Sequence, residues 1–356
     1  ATCIKVPMAD GGEGTVQSLV DAAGGRFIRR RVTGPAGKPV TARYGMLSNS
    51  ETAVIEMAEA SGLPLVKGKD RNPLMTTTYG TGELILDAIN RGAKKIIIGI
   101  GGSATTDGGA GMAQALGVRF LDNRGNEIRE PGAGGMLDRI ARIDMKGLDP
   151  RIRKTEIIVA CDVNNPLYGK TGAACVFGPQ KGATPAMVKK LDANLRHFGN
   201  LIRQDLHRDV RKLKGAGAAG GLGAGLVAFT RARLKSGIDI VVETTRLPEY
   251  IRGADLVITG EGRVDFQTAF GKTPAGVAKA ARKLRVPTVA IGVGISDDAR
   301  GVFAYGIDGL ASACARDMSL EEAIRNSREH LANAAERVLR LILIGKKIAK
   351  PGRRKK

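Results

Sequence analysis

Apolar positions run through this chain in three textures. Lys95 to Ile100, Ala254 to Thr259 and Pro287 to Gly292 are short runs rich in β-branched residues. They lack polar alternation, as strands buried on both faces of a parallel sheet do. Helical spacing recurs at 82–91, 108–116, 185–206, 274–284 and 319–345. Strands alternating with helices predict an α/β protein. A third texture covers Phe27 to Val32, Val40 to Leu47 and Thr52 to Met57, joined by Gly34-Pro-Ala-Gly37 and Ser48-Asn-Ser50. It reads as an antiparallel meander over 27–57. The change of pattern near residue 30 predicts a division into 1–30 plus 250–345, a discontinuous α/β domain with a buried, mostly parallel sheet, and 31–249, a second α/β domain. Residues 346–356 hold seven Lys/Arg and no acid and read as a disordered basic tail.

Composition sharpens this picture through glycine. The chain has 356 residues and 49 are Gly, clustered at 11–14, 99–111, 132–135, 215–225 and 260–271. Glycine blocks between regular elements mark loops where backbone comes close to something. No apolar run reaches the roughly 18 residues a membrane helix needs. No charged n-region followed by an apolar stretch opens the sequence, so a cytoplasmic protein is expected. Cys3, Cys161, Cys175 and Cys314 form no Cys-x-x-Cys pair, and His197, His207 and His330 sit in helical segments. Zinc, disulfide and Ser-His-Asp chemistry are thereby disfavoured. Carboxylates, Lys/Arg and backbone amides remain as the chemical equipment.

The glycine blocks supply candidates. Gly101 to Gly111 follows a buried strand and leads into a helix, which would aim N–H groups and the positive dipole end at an anion. Gly101, Gly102, Ser103, Thr105 and Asp107 are its candidate ligands; a tight packing turn is the alternative. Gly215 and Gly217 open a second block that is only weakly like a dinucleotide fingerprint, and a helix-packing surface fits equally. In the third, a strand runs into Gly260-Glu-Gly-Arg263 with Asp265 and Lys272 close behind. Position 266 is Phe where a P-loop demands Gly, so this is no Walker A motif. Carboxylates that hold Mg²⁺ beside Arg and Lys that neutralise phosphoryl oxygens suit phosphoryl transfer; a solvated ion-pair network is the alternative. Asp10 and Glu13 end a strand near the start, where metal or substrate binding competes with helix capping. Asp162 ends another strand as a candidate general base or turn former.

In order along the chain, these blocks resemble the bacterial glycerate kinase family. The resemblance is carried by Pro7 to Thr15, Ala53 to Ala58, Asp70 to Pro73, Gly80 to Glu83, Gly99 to Thr105 with Asp107 to Gly109, Ala160 to Val163, Phe177 to Gly182, Gly215 to Gly217, Gly260 to Arg263 with Gln267-Thr268, and Gly271-Lys272. It implies two α/β domains with a cleft between them. It also implies transfer of the γ-phosphoryl of MgATP to D-glycerate, with 2-phosphoglycerate as the expected product and 3-phosphoglycerate as the lesser alternative. The implied roles are catalytic for Asp162, Asp265 and Lys272, substrate-binding for Asp10, Arg71 and Arg263, and metal-binding for Glu13 and Glu261. Gly101, Gly102, Ser103, Thr105, Asp107, Gly215 and Gly217 are placed on nucleotide or phosphate. Glycerate and ATP are the implied partners, with a homodimer allowed. Family members begin about forty residues earlier, so a missing strand is expected, which would leave unpaired backbone groups.

The net charge of +21 enters last. Alone it suggests a polyanion partner, and it motivates a competing reading: a truncated, inactive kinase-like fold that binds nucleic acid. Aromatic residues make up only 4%, Trp is absent and no nucleic-acid motif is present, so such binding is not expected. The surplus instead fits attraction of two anionic substrates.

Overall fold

Residues 2–9, 12, 14–269 and 272–349 of the computed structural model are described. They divide into two compact units, Val6–Thr245 and Ala1–Lys5 with Arg246–Lys356. Among the described residues eleven strands are numbered in chain order: β1 (Gly25–Thr33), β2 (Pro39–Leu47), β3 (Thr52–Glu56), β4 (Lys95–Gly99), β5 (Arg119–Leu121), β6 (Arg142–Asp144), β7 (Glu156–Ala160), β8 (Arg233–Lys235), β9 (Val257–Val264), β10 (Thr288–Ile295) and β11 (Gly309–Ser312).

The larger unit is built on a six-stranded sheet in the order β1-β2-β3-β4-β7-β8. β1, β2 and β3 pair antiparallel, as the meander predicts, whereas β3, β4, β7 and β8 run parallel. The meander is therefore one wing of the main sheet. Side chains alternate across a strand, so the unbroken apolar runs need cover on both faces. Val54, Ile97 and Ile158 meet Val16, Leu19 and Val20 of helix Thr15–Ala23 and Ile240 and Val241 of helix Gly237–Thr244. Ala53, Ile55, Ile96, Ile98, Ile157 and Val159 join the larger core on the opposite face. There Phe120 packs edge-on against Phe198 and Phe229, with ring centroids 5.6 and 6.1 Å away.

The smaller unit carries a parallel sheet in the order β11-β10-β9. Helix Thr273–Lys283 supplies Ala278 to a core with Val264, Ala290, Ala299, Val302 and Ile307. Among the described residues no helix is long and apolar enough to cross a membrane.

Two boundaries differ from the sequence reading. Residues 6–30 lie with the larger unit, because helix Thr15–Ala23 covers a sheet face that would otherwise expose Val54 and Ile97. The disordered tail does not begin at 346: Lys346 and Lys347 belong to the last turn of helix Ser327–Ala349, where cations oppose the negative dipole end. Residues 350–356 lie outside the described residues.

Candidate functional site

The strongest sequence signal follows β4. Gly101 and Gly102 are exposed, and Gly102 takes a left-handed φ of 69°. The loop is pinned from behind: Leu63 N–H donates to the Gly102 carbonyl at 2.8 Å, and Ala104 N–H to the Ser61 carbonyl at 2.9 Å. Among the described residues the N–H groups of Gly101, Gly102 and Ser103 donate no hydrogen bond. The exposed amides of Gly101 and Gly102, with Ser103 buried just behind them, thus stand at the C-terminal end of a parallel strand, where open α/β sheets take ligands.

The rest of the block corrects the expectation. Asp107 is 0% exposed. Its Oδ2 accepts from Thr78 N–H at 2.8 Å, Thr78 Oγ1 at 2.7 Å and Gly111 N–H at 3.2 Å, and its Oδ1 from Gly109 N–H at 3.1 Å. The helix that begins here, Ala110–Ala115, has its amino end filled by the protein's own carboxylate. Burial pushes the Asp107 carboxyl up by more than these hydrogen bonds bring it down. Asp107 is an internal hydrogen-bond acceptor and presents nothing to a ligand. Thr105 is likewise fully buried, and its Oγ1, like that of Thr106, has no partner among the described residues.

Gly215 and Gly217 are corrected on the same ground. A Cβ on Gly217 would stand 2.3 Å from the Pro166 carbonyl oxygen, and one on Gly215 2.8 Å from Cys161 Sγ. Farther along, Gly220 at φ +68° would place a Cβ 1.9 Å from the Thr105 carbonyl oxygen, and Gly225 one at 2.9 Å from Gly109 Cα. All four are buried; Gly215 and Gly217 pack on residues 161–166, and Gly220 and Gly225 press against the 105–109 backbone. The block is a packing surface; its glycines admit neighbouring main chain where a phosphate was expected.

Asp162 lies exposed just past β7, and its Oδ1 accepts from Gly237 N–H at 3.1 Å, the first residue of helix Gly237–Thr244. Arg71 is exposed, and its Nη2 donates to the Gln180 carbonyl. Asp10 and Glu13 lie outside the described residues.

Sequence reasoning missed two groups. Lys181 is 2% exposed, and its Nζ donates to Ser103 Oγ and to the Thr105 carbonyl, each at 2.6 Å. Burial pulls its pKa down to about 7 against the attraction of Asp107. Glu56, at the C-terminal end of β3, accepts from Val16 N–H at 2.9 Å, and burial pushes its carboxyl up. Both residues stand inside the motifs quoted above. Nothing local marks them, because burial is decided by distant segments.

In the smaller unit, Glu261 and Arg263 alternate on β9, two residues apart and on one face. Thr268 is fully buried and ties the acids together. Its Oγ1 donates to Glu261 Oε1 and accepts from Asp265 N–H at 3.0 Å, and its own N–H donates to Asp265 Oδ1 at 3.2 Å. Lys272 Nζ lies 3.8 Å from Glu261 Oε2 and 3.7 Å from Asp265 Oδ1. Two hard carboxylates thus share one cation. That donor set fits Mg²⁺ bound with nucleotide phosphates, which takes only one or two protein carboxylates. Among the described residues no cluster of three or more His, Cys, Asp or Glu forms an all-protein cage.

Comparison with known proteins bears on both units. A family model described as the glycerate kinase family matches residues 1–343. The chain is 56% identical over 346 residues to a glycerate kinase of Bacillus subtilis, covering 97% of this chain and 89% of the relative. It is 50% identical over 345 residues to a glycerate 2-kinase of Escherichia coli, covering 97% and 90%. A crystal structure of a candidate glycerate kinase 2 from Salmonella typhimurium superposes with a TM-score of 0.87 at 49% identity, covering 97% of this chain and 90% of that one. The match starts at residue 1 and lends no support to the expected missing segment or to the inactive, polyanion-binding alternative.

Proposed function

This chain belongs to the glycerate kinase family, and from that premise we propose that it transfers the γ-phosphoryl of MgATP to D-glycerate, yielding 2-phosphoglycerate. The observation that carries the reading is the Glu261–Thr268–Asp265–Lys272 cluster beyond a strand's C-terminal end. Phosphoryl transfer asks the protein for positioning and charge compensation more than for covalent chemistry. Glu261 and Asp265 would hold Mg²⁺, which neutralises phosphate oxygens when bound. Lys272 offsets negative charge on the transferred group, and Arg263 pairs with the substrate carboxylate through its planar fork. In the larger unit, the exposed amides of Gly101 and Gly102, backed by Ser103, suit an anionic oxygen. Arg71 adds a cation, and Asp162, steadied by Gly237 N–H, is a carboxylate for the hydroxyl proton.

The glycerate 2-kinase name of the E. coli relative favours the 2-phospho product. ADP release with D-glycerate and MgATP tests the activity, and direct coupling to enolase tests the product, because enolase dehydrates 2-phosphoglycerate and not its 3-isomer. Absence of glycerate-dependent ADP rejects the activity. Activity that reaches enolase only after a mutase is added rejects the regiochemistry.

A further inference from the structure

A buried lysine carries a desolvation cost that only specific partners offset. Lys181, at the end of the turn Pro179–Lys181, spends its donors on the loop after β4: Ser103 Oγ and the Thr105 carbonyl, each at 2.6 Å. Its backbone is fixed from the other side. Arg71 Nη2 donates to the Gln180 carbonyl, and Gly182 packs so close that a Cβ there would stand 2.5 Å from the Arg71 carbonyl oxygen. An ammonium only donates. Where Lys181 is protonated, Ser103 Oγ therefore accepts from it and keeps its own proton for another acceptor, and among the described residues it makes no second hydrogen bond. A hydroxyl polarised by a cation behind it is the stronger donor in front.

We propose that Lys181 is a positioning residue that aims the Ser103 hydroxyl at an anionic substrate oxygen, the chemistry shared by a nucleotide phosphate and the glycerate carboxylate. The proposal rests on the reading of the Gly101 to Ser103 loop as an anion site. It adds that the specificity of this loop depends on a side chain that never reaches the surface.

The test is steady-state KM for ATP and for D-glycerate near pH 6, where Lys181 is protonated, on the full chain carrying Ser103→Ala, Ser103→Thr, Lys181→Met, or Ser103→Ala with Lys181→Met. Ser103→Ala should raise one of the two KM values about tenfold, the size of a hydrogen bond to a charged acceptor, and the affected substrate identifies the oxygen. Ser103→Thr keeps the hydroxyl and should restore most of the loss. Lys181→Met should raise the same KM to a similar extent, and the double variant should be no worse than Ser103→Ala, because the two residues act through one bond. If Ser103→Ala leaves both KM values unchanged, the anion-site reading falls. If Ser103→Ala acts but Lys181→Met does not, or if the two losses multiply, that reading stands and the role of Lys181 is overturned.

Should Lys181→Met fail to fold, native protein and Ser103→Ala are compared from about pH 6 to pH 9, where substrate ionisation cancels in their KM ratio. The charged group acting on Lys181 is Asp107 on the loop, while Arg71 holds the turn only through the Gln180 carbonyl. A ratio that shrinks as Lys181 loses its proton supports the proposal, and a constant ratio overturns it.

Discussion

Asp107→Asn separates the two meanings the glycine-rich loop can carry. The native carboxylate accepts four hydrogen bonds in full burial. An asparagine of the same shape can keep its carbonyl where Oδ2 stands and retain Thr78 and Gly111. Its NH₂ then faces Gly109 N–H, donor against donor. Two donors left unsatisfied in the interior cost about 1–3 kcal/mol each, and loss of the charge weakens the remaining bonds, so the change should destabilise by about 3 kcal/mol. Some of that is returned, because a buried ionised group no longer has to be desolvated. For a unit of this size, about 3 kcal/mol corresponds to a Tm lower by roughly 6–12 °C. Thermal unfolding by circular dichroism reads the stability, and KM for ATP, measured where the variant stays folded, reads the ligand. The internal-acceptor assignment requires a large fall in Tm with KM changed less than about threefold. A Tm within about 2 °C of native together with a strongly raised KM would refute it and return Asp107 to the ligand.

Other outcomes follow from the same contacts. Gly220→Ala places a methyl against the Thr105 carbonyl oxygen and forces a left-handed residue, so it should cost at least about 3 kcal/mol and show as loss of soluble protein or a depressed Tm; native stability would contradict the packing assignment. Lys181 has a folded pKa of about 7 against 10.5 for an ordinary lysine, so between these values the unfolded chain holds a proton that the folded chain has released. Its contribution to stability therefore rises with pH from about 7 towards 10, and urea unfolding of Lys181→Met should lack that slope. Tyr44, raised by burial and its bond to Asp87, reverses the trend above its ordinary value of 10.0, which bounds the window. Asp265→Asn and Lys272→Ala should each lower kcat by about 10²-fold while raising the glycerate KM less; an unchanged kcat in both would move the chemistry elsewhere.

What the sequence makes legible is what local rules control. β4 and β10 stand out as β-branched runs, the meander emerges from its turns, and helix Pro185–Leu206 begins and ends where its spacing says. The acids and lysine at the end of β9 are also visible, because their spacing alone brings them together. Where distant segments decide, the reading fails. Gly101 and Gly220 look alike in sequence, yet one faces outward and the other abuts Thr105, a difference set by residues more than a hundred positions away. Asp107 reads as a ligand, with a packing turn as the alternative, until Thr78 is seen against it. Helix Thr15–Ala23 carries no mark of which sheet it will cover.

The contact between the glycine blocks has a mechanical consequence. Gly108 N–H donates to the Gly220 carbonyl, and Gly108 and Gly109 meet Gly221 and Gly225 main chain to main chain, so no rotamer lies between them to absorb displacement. A close-packed seam of this kind has low compressibility and transmits strain. The outward amides of Gly101 and Gly102 are joined through the same short segment to that seam, and thus to helix Leu222–Thr230 beyond it. Stiffness at the loop tip is borrowed from a helix that contributes no side chain to it. Loosening that helix would blur the loop's aim while leaving every residue of the loop in place.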